Sequence, residues 1–348
     1  MFPNMMNRNV FSFTAGLLFA ILACPLFSQS TSLDPAVRAA LDEGKQFQQR
    51  RQLSSALDSD RRALKLAKDR CTECLRAIVD LQLAMGLSKD AATSAAAWAA
   101  QASTPIEKAH AEYLQASALL LADRQKHKDA LLIQADEVLK RAAADDPSNA
   151  GIHLLDGRVL AMLKKDADAK NEFIACAANP AASPADCLRA KNFAGDVSLA
   201  RGEQAPAFTI TKLDGSTITL DSLAGKVVLI DFWATWCPAC VKDLNYIQSL
   251  AESADKDRFV LIGVSDDADE QKWKRYVSEN RMVGQQIRDT DHTLSELFHV
   301  AAIPTYVVLD ANGTVQLRAL GPEGDIKGKV RALLAKPAPS EPATHIGN

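Results

Sequence analysis

The segment KVVLIDFWATWCPAC, residues 226–240, decides how the fold of this chain is predicted. Its first part is a continuous apolar run, which is typical of a strand buried on both faces of a sheet. It ends in two cysteines, Cys237 and Cys240, that are three residues apart. The same spacing occurs at Cys71 and Cys74, so spacing alone does not distinguish a redox couple from half of a metal site or from two inert core residues.

The position of Cys237 between a strand and a helix favours the redox couple. A helical pattern follows it, at about 238–254. The first turn of a helix presents unpaired N–H groups and the positive end of the macrodipole, and both stabilise a thiolate. Pro238 suits that turn because it needs no N–H partner. Cys240 returns to the same helix face, where we expect it to be less exposed, so Cys237 would attack a disulfide and Cys240 would resolve it.

The residues around this motif alternate between strand and helix patterns. FTITKLDGSTITL and TYVVLDANGTVQLRAL read as hairpins, the second with its turn at Asn312 and Gly313, and FVLIGVSD reads as a buried strand. Helical patterns occupy about 269–280 and 323–335. The prediction is an α/β domain with a mixed central sheet and helices on both faces.

Four motifs in this part of the chain resemble the thioredoxin superfamily, and in particular its exported TlpA-like branch. They are GEQAPAFTI with the DG hairpin, DFWATWCPAC, GVSDD and AAIPTYVVLD, and together they cover about residues 203–336. The resemblance implies a thioredoxin-like fold and thiol-disulfide exchange at Cys237 and Cys240 without an organic cofactor or a metal. Trp236 and Pro238 would help to bind substrate beside the couple.

The resemblance also assigns roles to residues distant from the couple in sequence. Ile303 and Pro304 would form a cis-proline element that binds the backbone of an extended substrate, and a cis bond is inexpensive only before proline. Asp231 would be a buried acid that accepts the proton of Cys240. A carboxylate in an otherwise apolar strand is costly to bury, which favours a role for it. The alternative is a structural aspartate.

Two features of the sequence distinguish this chain from related families. Many family members have a proline five residues after the second cysteine, where this chain has Asn245, so a kink in that helix is in doubt. The peroxiredoxins share the fold but carry a Pro and a Thr at fixed positions before the reactive cysteine. Those positions hold Ile or Asp and Ala here, and the peroxiredoxin interpretation is therefore disfavoured.

The residues from about 34 to 200 follow a helical pattern rich in alanine. Gly44 and Gly157 each precede an alanine by twelve residues, and Pro147 falls where a helix pair would end. This resembles tetratricopeptide repeats (TPR), which are stacked helix pairs, so we expect three to four degenerate TPR-like repeats and a closing helix near 184–200. Asp60 takes a position where an aromatic residue is expected. The alternative is an irregular helical bundle.

Five further cysteines lie outside the couple. Cys71 with Cys74, and Cys176 with Cys187, are candidates for structural disulfides, because an even set in an exported protein favours pairing. A second redox couple at Cys71 and Cys74 lacks the buried strand and the cis-proline. A zinc site of these four cysteines is disfavoured because no repeat geometry brings the two turns together.

The first thirty residues resemble an export signal, with Arg8 followed by VFSFTAGLLFAILACPLF and a polar exit. Three outcomes stay open: a cleaved signal peptide, an uncleaved membrane anchor, or a lipoprotein acylated at Cys24 in ILAC. Residues 337–348 are rich in proline and polar, and we expect them to be disordered. The chain is balanced, with 40 Lys and Arg against 43 Asp and Glu, and has no basic and aromatic cluster, so a nucleic-acid partner is not expected.

The sequence thus predicts a periplasmic or membrane-tethered thiol-disulfide oxidoreductase. Pro238 and Ala239 leave the direction of exchange open, and the resemblance to the TlpA-like branch favours a reductase. Its expected partners are protein thiols and disulfides, an upstream electron donor such as a membrane thiol carrier, and a protein bound by the helical repeats or a second copy. By analogy with the TlpA-like branch, the process would be cytochrome c maturation or disulfide repair. The rival interpretation is a scaffold protein whose thioredoxin-like half serves for docking.

Overall fold

The structure is a computed structural model that describes residues 33–126, 129–212, 215–321 and 324–336. The predicted export segment with Cys24 and the predicted disordered tail at 337–348 lie outside the described residues. Within the described ranges, no helix has both the length and the apolar composition that a membrane crossing requires.

Nine α-helices fill the first half of the described chain, as the alanine-rich pattern predicts. Their bounds are α1 Pro35–Gln49, α2 Leu53–Leu66, α3 Thr72–Ala84, α4 Ser88–Gln101, α5 Pro105–Lys126, α6 Asp129–Asp145, α7 Ala150–Met162, α8 Asp166–Ala178 and α9 Pro184–Gly195. The first eight pack as four successive pairs, and α9 closes the stack. The helices end at Gly195, and a 3-10 turn, Val197–Arg201, replaces the last part of the expected closing helix. This arrangement is compatible with TPR-like repeats.

Glycine allows close packing within two of these helix pairs. A Cβ atom on Gly157 of α7 would lie 2.5 Å from the ring of Phe173 on α8, which is fully buried. A Cβ on Gly44 of α1 would likewise overlap the carboxylate of Asp60 on α2. Asp60 and Phe173 each follow their glycine by sixteen residues, so Asp60 occupies the aromatic position in the first pair. Burial raises the pKa of Asp60 to about 6, although the charge of Lys45 opposes the shift.

We expect Gly157→Ala to destabilise the protein by about 1–3 kcal/mol, because the overlap with Phe173 outweighs the gain of about 1 kcal/mol in helix propensity. Gly195→Ala is the matched control, since a Cβ there meets no atom within 4 Å. Urea unfolding followed by helical circular dichroism measures both variants. Equal stability of Gly157→Ala and the wild type would contradict the close packing of α7 and α8.

Seven strands and four helices form the second half of the described chain. Their bounds are β1 Thr209–Thr211, β2 Thr217–Thr219, β3 Val227–Trp233, α10 Pro238–Ser253, β4 Phe259–Ser265, α11 Glu270–Glu279, β5 Gln285–Arg288, α12 Thr293–Leu297, β6 Thr305–Leu309, β7 Val315–Leu320 and α13 Ile326–Leu334. The strands β1 and β2 pair as a separate hairpin, and the other five form a mixed sheet in the order β5-β4-β3-β6-β7. The pairs β3–β4 and β4–β5 are parallel, whereas β3–β6 and β6–β7 are antiparallel. This confirms the predicted thioredoxin-like fold class.

The two faces of the central strand β3 contact different layers. Val228, Ile230 and Phe232 pack with the β1–β2 hairpin and α12, whereas Val227 and Leu229 pack with α10 and α13. All seven residues of β3 are buried. Because side chains alternate along a strand, Asp231 lies on the same face as Leu229 and is directed towards α10. The helix α10 runs unbroken through Asn245, where related sequences often have proline.

Candidate active site

The two cysteines of WCPAC form a disulfide where α10 begins. Cys237 caps the helix, and the N–H of Cys240 donates to its sulfur at 3.2 Å. Their Cα atoms are 5.3 Å apart, within the range of a disulfide. This is the placement that the sequence predicts: a buried strand, a short loop, and a sulfur among the first N–H groups of a helix.

The couple is enclosed by aromatic side chains. Trp233 and Trp273 are buried and pack with both cysteines, and Tyr276 lies at the edge of this cluster. Cys237 is 5% exposed and Cys240 is 6% exposed, so the expectation that Cys240 is the less exposed of the two is wrong for the disulfide form. The disulfide bond holds both sulfurs beneath the same aromatic side chains. The position of each cysteine along α10 therefore does not decide which of the two is more exposed.

The predicted substrate-binding residues lie beside the disulfide. The peptide bond between Ile303 and Pro304 is cis, and the sulfur of Cys237 lies 4.0 Å from the carbonyl oxygen of Ile303. Trp236, by contrast, is 55% exposed although it is a large aromatic residue. Pro238 occupies the first turn of α10. The structure therefore places all four residues next to Cys237, with Trp236 and Pro238 exposed, Ile303 half-buried and Pro304 buried.

The carboxyl group of Asp231 is buried on the α10 side of the sheet. It is 6% exposed, and its Oδ1 has no hydrogen-bond partner among the described residues. Burial raises its pKa to about 7, and the negative charge of Asp243 adds to the shift. A carboxyl group with this pKa can take up and release a proton near neutral pH.

Two further polar residues near Asp231 were missed by the sequence analysis. Asp243 follows Cys240 by three residues on α10, is buried, and accepts a hydrogen bond from the hydroxyl of Tyr306 at 3.3 Å. Tyr306 lies opposite Asp231 in the antiparallel pairing of β3 and β6. Burial, and then the charges of Asp231 and Asp243, raise the pKa of the Tyr306 hydroxyl, so it stays a hydrogen-bond donor. The signal in the sequence was the position of Asp243 one turn after Cys240.

A third missed residue, Asp267, holds the loop that leads to Cys237. Its carboxylate accepts hydrogen bonds from the N–H and the hydroxyl of Thr235, at 2.9 and 2.5 Å, and from the hydroxyl of Ser265, at 2.7 Å. Asp267 is buried and is the last residue of the GVSDD motif. The motif includes the last three residues of β4 and the two that follow, and it orders the loop before the couple.

Comparisons with known proteins agree with this geometry. A model of the AhpC/TSA family matches residues 201–318. The thiol-disulfide oxidoreductase ResA of Bacillus cereus is 29% identical over 129 residues, which cover 37% of this chain and 75% of the relative. The thioredoxin-like protein YneN of Bacillus subtilis is 30% identical over 122 residues, which cover 35% of this chain and 72% of the relative. The chain belongs to the thioredoxin-like thiol-disulfide oxidoreductases.

Solved structures of such oxidoreductases also match this chain. The thioredoxin domain of a thiol-disulfide oxidoreductase from Bacteroides vulgatus is 27% identical, with a TM-score of 0.35, and the match covers 38% of this chain and 96% of that one. The family match at residues 201–318 begins after the nine helices of the first half.

The oxidoreductase has a second disulfide, between Cys71 and Cys74 at the start of α3. Cys176 and Cys187, however, are free thiols, so the predicted candidates for a second structural disulfide do not form one. The sulfur of Cys187 instead donates to the carbonyl oxygen of Ala177 at 3.4 Å. Burial, followed by the charges of Asp186 and Cys187, raises the pKa of Cys176 to about 12, which keeps this thiol protonated and unreactive.

We expect iodoacetamide, added to the unfolded protein without reductant, to label Cys176 and Cys187 fully. The four bonded cysteines, at 71, 74, 237 and 240, should be labelled only after treatment with dithiothreitol. Peptide mass spectrometry assigns each label. A peptide pair linked through Cys176 and Cys187 would show that the bridge forms after all.

We expect Asp231→Asn to change how stability depends on pH. In the folded protein the pKa of Asp231 is about 7, above its ordinary 3.8, so the folded state binds this proton more tightly than the unfolded state. The free energy of unfolding of the oxidised wild type should therefore fall as the pH rises from about 4 to 7.

In Asp231→Asn this fall should be smaller by at least about 1 kcal/mol. Urea unfolding of the oxidised protein at pH 5 and pH 8 measures the difference. Asp257→Asn, which changes an exposed carboxylate, is the control. Parallel pH profiles for the wild type and Asp231→Asn would show that the carboxyl does not titrate in this range.

Proposed function

We propose that this protein is an exported reductase of protein disulfides, and that the Cys237–Cys240 couple carries its electrons. The observation that supports this most directly is the disulfide at the start of α10, with Cys237 facing the carbonyl oxygen of Ile303 before the cis-proline. The two sulfurs transfer the electrons themselves, and no organic cofactor or metal takes part in the proposed reaction.

The proposed cycle starts with the reduced couple. The thiolate of Cys237, favoured by the N–H groups of α10, attacks one sulfur of a substrate disulfide, and the other substrate sulfur leaves as a thiolate. Cys240 then attacks the sulfur of Cys237, which releases the second substrate sulfur and forms the disulfide seen in the structure. Two electrons pass to the substrate, and an upstream dithiol donor returns the couple to its reduced form.

Asp231 has the proposed role of accepting the proton of the Cys240 thiol when this thiol attacks. Its location supports the role, because it faces α10 from β3 and its pKa of about 7 matches the operating pH. Asp243 assists by raising that pKa, and the hydroxyl of Tyr306 fixes the Asp243 carboxylate. The alternative, a purely structural Asp231, is disfavoured by the unpaired Oδ1 of this residue among the described residues.

The substrate would lie against Trp236 and Pro238, which are exposed, and would pair with the backbone at Ile303 and Pro304. The backbone at a cis-proline can pair with an extended peptide, and an exposed aromatic such as Trp236 provides apolar contact. The helical half has the proposed role of binding a protein partner or a second copy through TPR-like repeats.

The cellular setting is proposed from the sequence. The apolar segment within residues 1–30 supports export, with the mature protein periplasmic or held at the membrane, where Cys24 offers a lipidation site. The electron donor would then be a thiol carrier in the membrane. Cytochrome c maturation and repair of wrong disulfides are the processes that such a reductase would serve.

We expect Cys237→Ser to abolish reduction of insulin disulfides, because no thiolate is left to attack. Cys240→Ala should lose turnover and accumulate a mixed disulfide with substrate through Cys237, since nothing resolves it. Cys187→Ser, which changes a free thiol, is the matched control and should keep wild-type turnover.

Insulin turnover with dithiothreitol and intact mass spectrometry of the adduct measure these variants. Equal turnover by wild type and Cys237→Ser would leave only the scaffold interpretation. If the reduction potential of the Cys237–Cys240 couple is well above that of the periplasmic donors, the protein would act as an oxidant of protein thiols and not as a reductase.

A further inference from the structure

One side chain of the helical half, Arg51, contacts the oxidoreductase half close to its redox site. Arg51 lies in the turn between α1 and α2, and its guanidinium donates to the carbonyl oxygen of Asp291 and to the hydroxyl of Thr293. It also forms ion pairs with the carboxylates of Asp291, at 3.4 Å, and of Glu296, at 3.9 Å. The side chain of Arg51 is only 33% exposed, whereas the neighbouring Arg50 is exposed.

The segment that Arg51 contacts is short and depends on its neighbours. α12 has five residues, too few for a helix to be stable alone. Asp289 caps it, accepting from the N–H groups of Leu294 at 3.0 Å and of Ser295 at 2.8 Å. Partial burial acts to raise the pKa of the Asp291 carboxyl, but hydrogen bonds from Thr293 and the charge of Arg51 hold it below its usual range.

The segment around α12 is linked to two parts of the chain near the disulfide, the end of β3 and the cis bond before Pro304. On one side, His292 lies 3.2 Å from the carboxylate of Asp266, whose N–H donates to the carbonyl oxygen of Trp233 at the end of β3. On the other side, the chain runs from the end of α12 to the cis bond before Pro304 in a few residues. A displacement of α12 therefore acts on the loop that would bind substrate.

A second anchor holds the two halves together at the opposite end of the sheet. Arg189 of α9 pairs with Asp221 at 2.8 Å, and Asn192 donates to the side chain of Asn312 at 2.7 Å. Asn312 lies in the turn after β6 and Asp221 lies before β3, whereas the residues that Arg51 contacts follow the carboxyl end of β5, which runs parallel to β4 and β3, so the two anchors lie at opposite ends of the sheet. Two separated anchors resist rotation of one half against the other, so Arg51 stays at α12.

We propose that Arg51 is a positioning residue for protein substrates: it holds α12, and through α12 the cis-proline loop, in the arrangement that binds an extended peptide. The helical half thereby takes part in substrate binding without contacting the sulfurs. This inference rests on the proposed function, since it concerns the same substrate surface.

The test compares a substrate that uses the cis-proline loop with one that does not. Insulin presents a peptide backbone, whereas 5,5′-dithiobis(2-nitrobenzoic acid) is a small aromatic disulfide without one. In the full-length protein, Arg51→Ala should lower kcat/KM for insulin about three- to tenfold, mainly through KM, and leave the rate with the small disulfide unchanged. Arg50→Ala is the matched control and should match the wild type with both substrates. Arg51→Lys should lower kcat/KM for insulin less than Arg51→Ala does, because lysine keeps the positive charge but cannot make the bidentate contact of a guanidinium.

Hydrogen exchange gives a readout that is independent of activity. Arg51→Ala should speed amide exchange in residues 289–304, whereas Arg50→Ala should not. If Arg51→Ala changes neither the insulin kinetics nor the amide exchange in residues 289–304, the inference is wrong. It is also wrong if Arg51→Ala lowers the rate equally with insulin and with the small disulfide. A wild-type protein that reduces neither substrate would instead refute the proposed function.

Discussion

Hydrogen bonds along both edges of β3 hold the redox site together. β3 pairs in parallel with β4 and antiparallel with β6, so it cannot shift without breaking both ladders. After β3 the chain turns at the end of the sheet, and its next helix, α10, packs against a face of the sheet. The first turn of α10 therefore lies at the end of β3. The pairing of Phe232 with Thr305 brings the residue after Pro304 level with the end of the same strand. One strand thus positions the sulfurs, the cis-proline and, through its α10 face, Asp231.

The parts of this arrangement with strong local signals could be predicted from the sequence. β3 and β4 are apolar runs, α10 begins at a motif that caps a helix, and the β6–β7 turn contains Asn312 and Gly313. β5 and α12 gave no such signal, because QQIR is polar and short and α12 has only five residues. Asp243 and Tyr306 form a hydrogen bond because α10 packs next to β6. A local sequence pattern does not predict this packing. The absence of a bridge between Cys176 and Cys187 likewise follows from how α8 packs on α9.

The two disulfides share a position at the start of a helix but differ in their surroundings. Cys71 caps α3 as Cys237 caps α10, and the second cysteine of each pair donates its N–H to the first sulfur, at 3.0 and 3.2 Å. Their surroundings differ. Cys71 and Cys74 pack among small and aliphatic side chains of α1 and α2, whereas the other couple has a cis-proline, an exposed tryptophan and a buried acid beside it. Thiol-disulfide exchange requires an incoming sulfur to reach the bond and a proton to leave, and the function proposed for Cys237 and Cys240 rests on these neighbouring groups.

The contact between the two halves limits how the helical repeats can influence the redox site. Domains joined within one chain move relative to each other by default, unless their interface is large and apolar. In the part of the chain that the structure describes, the hydrogen bonds named above between the two halves lie at the α1–α2 turn and at α9. A partner bound to the helical half could act on the disulfide of Cys237 and Cys240 by shifting one of these contacts, and the contact of Arg51 with α12 is the one that leads along the chain to the cis bond before Pro304. The first helix pair is therefore the part of the repeat stack through which binding and catalysis can be coupled.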